Sequence, residues 1–215
     1  MKKALYLFTL LLFLGSTVHV FAQDAEGEES KRPRIVRQGD GFYDAKEYAQ
    51  AIKVYKKAYS KVKSRTEKAE IAFRLGECYR YTFQYRAAEA QYSRALKMKL
   101  ETPEAYLGVA EMLKYQSEYE DALEAYEDFA RAFPNDDRGP LGIASCRDAV
   151  AWQKSLTRYQ VGNLTSLNSS SHEFGMTFSG RPETYEEVLL TSMREGGIGR
   201  KKDGWTGERF SDIYS

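Results

Sequence analysis

The chain has 215 residues, with 32 Lys and Arg against 31 Asp and Glu, and a formal net charge of +1. This balance excludes an overall field that would attract nucleic acid or an anionic membrane surface. Hydrophobic residues make up 42% and charged residues 29%, which is typical of a folded protein, and two Cys exclude a disulfide-stapled scaffold. The 16 Tyr are unusual, and their regular spacing is the strongest structural signal in the sequence.

The N-terminus has the three-part layout of a secretory signal peptide. Lys2 and Lys3 precede an apolar run, and Val20-Phe21-Ala22 places small residues one and three positions before a cleavage point. The uninterrupted run is shorter than the roughly 18 residues that a membrane span needs. We therefore expect a signal peptide over residues 1–22, an exported protein, and a flexible linker over residues 23–32.

A pattern of small and aromatic residues then occurs three times. The copies begin at Gly39, Gly76 and Ala110, which are 37 and 34 residues apart. Steps of +9, +12, +16 and +19 lead in each copy to aromatic or small residues: Tyr48, Ala51, Tyr55, Ala58; Tyr85, Ala88, Tyr92, Ala95; Tyr119, Ala122, Tyr126, Phe129. Small residues let two helices pack closely along one seam, and rings fill the space between successive pairs. The pattern predicts stacked helical hairpins.

The helices are expected in pairs, with one unpaired helix at the end. A further step of 34 residues from Ala110 reaches Ala144, where a helix follows Asn135-Asp136-Asp137 and has no partner helix. This helix should cap the stack, and the whole helical domain should cover residues 33–156. The predicted helices are 33–45, 47–61, 67–82, 85–99, 103–116, 119–132 and 138–154.

The three copies resemble the tetratricopeptide repeat family over residues 33 to 154. In that family the first helix of each pair lines a concave groove that binds protein partners. The resemblance therefore implies a partner-binding groove with these residues: Tyr43, Asp44, Phe73, Glu77, Arg80, Tyr81, Leu107, Glu111, Lys114 and Tyr115. Val36 and Asp40 replace the Lys and Asn of the family's carboxylate clamp, so capture of a chaperone C-terminus is not expected.

The region after Trp152 changes character. Short alternating segments separated by Gly-rich turns predict antiparallel strands over 173–179 and 188–192 and a third over 210–214. A few short strands are stable only when they pack on something. The end of the solenoid near Trp152 is the only apolar surface that the sequence offers nearby. We therefore expect a tail that is not independently stable and that protease cuts first between Glu195 and Arg209.

The tail resembles one blade of the TolB-type, WD40-like β-propeller. Leu190-Thr191-Ser192-Met193-Arg194 and Asp212-Ile213-Tyr214 match the two strand motifs of that family. The fold class is therefore mainly α: a tetratricopeptide-repeat α-solenoid of three helical hairpins plus a capping helix, followed by an incomplete antiparallel β-propeller blade over residues 157–215.

The order of these segments resembles the front portion of Bacteroidota OmpA-family proteins of the type IX secretion and gliding machinery, the PorE-like proteins. The resemblance implies a periplasmic, outer-membrane-associated scaffold whose partners are secretion-machinery components. It implies no nucleic-acid partner. In that family peptidoglycan is bound through a C-terminal OmpA-like domain, which lies outside this sequence.

The residues offer no constellation for chemistry. His172 lies in a polar loop without a partner for Ser/His/Asp catalysis, and Cys78 and Cys146 are two repeats apart, too far for a disulfide. We predict no catalytic residue, no cofactor and no metal. The sequence leaves two alternatives open. The repeats could recruit an exported enzyme whose catalytic part is absent, or the chain could be a stand-alone peptide-binding adaptor.

Overall fold

The computed structural model describes residues 32–155, 159, 162–181, 187–197 and 201–214. The predicted signal peptide, and all of the predicted linker except Arg32, lie outside the described residues. Seven helices occupy the first described range, and each packs against the next one along the chain. They are α1 (Arg34–Asp44), α2 (Tyr48–Lys61), α3 (Arg65–Tyr81), α4 (Tyr85–Lys97), α5 (Pro103–Tyr115), α6 (Tyr119–Ala132) and α7 (Arg138–Gln153).

Two of the helix starts follow directly from local sequence. The Ser64 hydroxyl accepts a hydrogen bond from the Glu67 N–H at the start of α3, and Thr102 accepts one from the Ala105 N–H at the start of α5. Pro103 occupies the first turn of α5, where a missing N–H costs nothing. The helix predictions are confirmed to within about two residues at each end.

The alanines predicted for the seams lie where the paired helices meet. Ala51, Ala88 and Ala122 are fully buried. Their small side chains let the two helices of each hairpin approach closely, as the repeat spacing predicted.

Tyrosine rings pack against glycines between the first helices of neighbouring helical pairs. The fully buried Tyr92 ring lies between Gly76 of α3 and Gly108 of α5, where a Cβ on either glycine would lie 2.8 Å from ring atoms. In the same way, the Tyr55 ring lies against Gly39 and the Tyr126 ring against Gly142. Because only glycine leaves room for the rings, these contacts set the spacing of the helices that line the concave face.

A three-stranded antiparallel sheet follows the solenoid, in the order β1 (Glu173–Ser179), β2 (Glu187–Ser192) and β3 (Asp212–Tyr214). The predicted strands are confirmed, although the third is shorter than the expected 210–214.

The carboxylate of Glu173 ties the first two strands together. Glu173 accepts hydrogen bonds from Ser169 and Ser192 and forms an ion pair with Arg194. These contacts, above all the hydrogen bond from the Ser169 hydroxyl, lower the pKa of Glu173 to about 2. The carboxylate therefore stays ionised and keeps its partners on both strands.

The loop before β3 docks on the solenoid at a place that the repeat spacing does not predict. The Trp205 ring meets Tyr48 and Tyr81 edge-on, at centroid distances of 4.9 and 5.8 Å. Its indole N–H donates a 2.7 Å hydrogen bond to the Tyr81 carbonyl, at the end of α3. Helix ends leave carbonyl groups unsatisfied, and here one meets an indole donor above two aromatic rings. The expectation that the end of the solenoid near Trp152 is the only apolar surface open to the tail is wrong, because the loop packs on Tyr48 and Tyr81 while the Trp152 ring is 71% exposed.

None of the described helices is both long enough and apolar enough to cross a membrane. Cys78 and Cys146 are both buried and free.

Candidate partner-binding groove

The concave face of the solenoid, formed by the first helix of each pair and by α7, contains two adjoining cavities. Their volumes are about 780 and about 230 Å³, and Phe73 and Glu104 line both. Six of the ten residues predicted for the groove line one or both of them: Asp44, Phe73, Glu77, Arg80, Leu107 and Glu111. The structure thus brings these six side chains together on one face, while their role in binding stays a prediction.

Four predicted groove residues line neither cavity, and two of these make contacts within the solenoid. Tyr43 lies under the Arg74 guanidinium, 4.7 Å from its carbon to the ring centroid, and burial raises the pKa of Tyr43 to about 12. Lys114 donates a 3.0 Å hydrogen bond to the Ser145 hydroxyl.

The other two, Tyr81 and Tyr115, lie at the edge where the first helices end. Tyr81 stacks on Tyr48 at 4.5 Å between ring centroids, and Tyr115 stacks on Tyr85 at 4.9 Å. The structure corrects the prediction that Tyr81 stands open in the groove, because Tyr48 and Trp205 cover its ring. Sequence spacing could not reveal this cover, because Trp205 lies 124 residues from Tyr81.

Buried tyrosine hydroxyls hold carboxylates at the floor of the groove. The Tyr55 hydroxyl donates a 2.6 Å hydrogen bond to Asp40, and the Tyr92 hydroxyl donates one to Glu77. Burial, the largest cause, raises the pKa of both tyrosines far above the ordinary value. Both hydroxyls therefore stay protonated and act as donors, which keeps the two carboxylates in fixed positions.

Arginine side chains complete this polar lining. Arg80 donates a 2.9 Å hydrogen bond to Glu77, and Arg32 reaches Asp40 at 3.1 Å and Glu70 at 2.6 Å. In the smaller cavity, a guanidinium nitrogen of Arg138 lies 3.8 Å from a carboxylate oxygen of Glu104.

The groove has an excess of negative charge. Among the described residues that line the two cavities, seven carboxylates face four guanidinium groups. The carboxylates are Asp40, Asp44, Glu67, Glu70, Glu77, Glu104 and Glu111, and the guanidinium groups are those of Arg32, Arg74, Arg80 and Arg138.

Several groove residues were not predicted from the sequence. Gly108, which receives the Tyr92 ring, lines the smaller cavity together with Arg138 and Glu104, and Gly142 of α7 receives the Tyr126 ring. A signal for the glycines was present, because they are 34 residues apart and each lies two residues before the small residue aligned in its copy. The two charged residues had no such signal, since their meeting depends on how α7 packs.

The described residues contain no group of three or more His, Cys, Asp or Glu side chains that could hold a metal ion. His172 is exposed, and its Nε2 lies 3.9 Å from a carboxylate oxygen of Glu208. Asp203 accepts hydrogen bonds from the N–H and hydroxyl of Thr206, which closes the turn that carries Trp205.

Comparison with known proteins agrees with the fold of the helical part. Residues 84–137 match the tetratricopeptide repeat family. The crystal structure of MamA superposes with a TM-score of 0.50 at 22% identity, over 54% of this chain and 67% of that one. The tetratricopeptide-repeat domain of Sgt2 from Aspergillus fumigatus gives a TM-score of 0.50 at 18% identity, over 66% of this chain and 92% of that one. No curated protein matches the sequence.

These likenesses establish the fold. The helical part of this chain is a tetratricopeptide-repeat solenoid, and a small three-stranded antiparallel sheet follows it.

Proposed function

We propose that this chain is a non-enzymatic adaptor that binds a segment of a partner protein in the concave groove. The observation that carries the proposal is the pair of adjoining cavities, lined by side chains that buried tyrosines and arginines hold in place. A preformed surface of this kind loses little conformational freedom on binding, which favours affinity.

The charge of the groove selects the chemistry of the partner segment. Seven carboxylates against four guanidinium groups favour a segment that carries Lys or Arg. Phe73, which lines both cavities, offers an apolar contact between the charged walls. The partner segment is therefore basic, with at least one apolar side chain.

A charge reversal in the groove tests the binding proposal. Glu104→Arg combined with Glu111→Arg should reduce capture of the partner from an envelope fraction by about tenfold or more, because attraction for a basic segment becomes repulsion. The matched control is Glu120→Arg with Glu124→Arg, which makes the same charge change at exposed positions on α6. Equal capture by the wild type and both variants would contradict binding in the groove.

We place this adaptor in the cell envelope, as a component of a secretion machinery of the type IX kind. The Lys2-Lys3, apolar and Val20-Phe21-Ala22 layout supports export. The propeller-like strand motifs support the resemblance to the PorE-like proteins, in which the sheet would be part of a propeller blade.

Export has a direct test. Protein recovered from the envelope should begin at Gln23, because a signal peptide is removed after the small residue at its end. The intact mass of the recovered protein measures this, and a full-length precursor found in the cytoplasm would contradict export.

A further inference from the structure

An aromatic stack recurs at equivalent positions of two successive repeats. Tyr48 and Tyr85 begin α2 and α4, while Tyr81 and Tyr115 end α3 and α5. The interplanar angles are 13° for Tyr48–Tyr81 and 18° for Tyr85–Tyr115, so both pairs stack nearly face to face. The solenoid edge thus presents the same aromatic platform twice.

The first platform, Tyr48–Tyr81, shows what such a stack binds. Trp205 stands edge-on against both rings, and its N–H donates to the carbonyl of the residue that ends the helix, Tyr81. The indole therefore combines aromatic packing with a hydrogen bond to a carbonyl that the helix leaves unsatisfied.

The second platform, Tyr85–Tyr115, is open to solvent. Tyr115 is 60% exposed, and Phe83, whose ring stands edge-on to Tyr85 at 6.4 Å, is 59% exposed. In the described part of the chain, no backbone N–H from outside α5 donates to the Tyr115 carbonyl. Exposed aromatic clusters of this kind mark interaction surfaces, and tyrosine is frequent among residues that dominate binding.

We propose that the Tyr85–Tyr115 platform binds a tryptophan side chain from a loop of a partner protein, in the manner of Trp205 on the first platform. The indole N–H of the partner donates to the Tyr115 carbonyl. This surface lies at the edge of the solenoid, outside the two cavities of the groove, so the inference goes beyond the proposed function and does not depend on it.

One neighbouring residue distinguishes the second platform from the first. Beside the first platform, Gly207 of the docked loop lies against the methyl group of Ala49. The equivalent position in the next repeat, 37 residues on, is Arg86, whose side chain is 86% exposed. The bulk of the Arg86 side chain disfavours binding of this chain's own Trp205 loop at the second platform. Its ion pair with Glu118, at 3.8 Å, is exposed and therefore weak, so its charge favours a carboxylate next to the incoming tryptophan.

The test is an NMR titration of the full chain with two probes, the N-acetylated dipeptide amides Trp-Asp and Trp-Lys. Ring signals of Tyr85 and Tyr115 should shift, and Trp-Asp should bind more tightly than Trp-Lys. Tyr115→Ala should abolish these shifts, while the control Phe174→Ala, which removes an exposed ring from the sheet, should leave them. Trp205→Ala should add matching shifts at Tyr48 and Tyr81, because it frees the first platform.

Three results would overturn the proposal. The first is probe binding at Tyr48 and Tyr81 in Trp205→Ala without any shift at Tyr85 and Tyr115. The second is the absence of shifts at both platforms. The third is a shift at Tyr85 and Tyr115 when the chain alone is concentrated, with its loss in Trp152→Ala, because the occupant would then be a second copy.

Discussion

Replacing Tyr92 by alanine is expected to lower the free energy of unfolding by about 3–5 kcal/mol, the range for loss of a large buried aromatic side chain. The ring is fully buried between Gly76 and Gly108, two glycines that offer no side chain to fill the space. Its hydroxyl also holds Glu77 at the groove floor. Urea unfolding followed by helical circular dichroism measures the loss.

Two further variants separate the ring from its surroundings. Tyr92→Phe keeps the ring and removes one hydrogen bond to the Glu77 carboxylate, so the expected loss is about 1.5–3 kcal/mol. Phe83→Ala removes an exposed ring and should change stability by no more than about 0.5 kcal/mol. If Tyr92→Ala lowered the free energy of unfolding as little as Phe83→Ala does, this would contradict the packing of successive repeats around the Tyr92 ring.

Replacing Trp205 by alanine should release the loop from the solenoid. The change removes both edge-on ring contacts and the hydrogen bond to the Tyr81 carbonyl. Limited trypsin digestion should then cut between Glu195 and Arg209 about tenfold faster, because cleavage follows the population of the opened loop. The helical part should remain intact over the same period.

The matched control for this experiment is Trp152→Ala. That ring is 71% exposed, so its removal should leave the rate of cleavage between Glu195 and Arg209 unchanged. Faster cleavage in Trp152→Ala than in Trp205→Ala would contradict docking of the loop through Trp205.

The repeat spacing predicts the helices because each repeat solves the same packing problem with the same residue types. Small residues such as Ala51 and Ala88 recur wherever helices pair, so their period indicates the hairpins, while the concave face is implied by the resemblance to the tetratricopeptide repeat family. The strands are also predictable, since alternation and glycine-rich turns are local signals.

Contacts between distant segments cannot be predicted in this way. Trp205 and Tyr81 are 124 residues apart, and no period links them. The resemblance to the tetratricopeptide repeat family implies the concave side for Tyr81, while its actual surroundings depend on Tyr48 and on the docked loop. The same holds for Arg138, whose contact with Glu104 depends on the packing of the capping helix.

The most direct test of partner binding in the groove is a photo-cross-linking measurement in the full chain. A photoreactive phenylalanine derivative at Phe73, which lines both cavities, should form a cross-linked product with the partner protein. The same group at Tyr59, on the outer helix α2, should form none. A product from position 59 with none from position 73 would contradict the account.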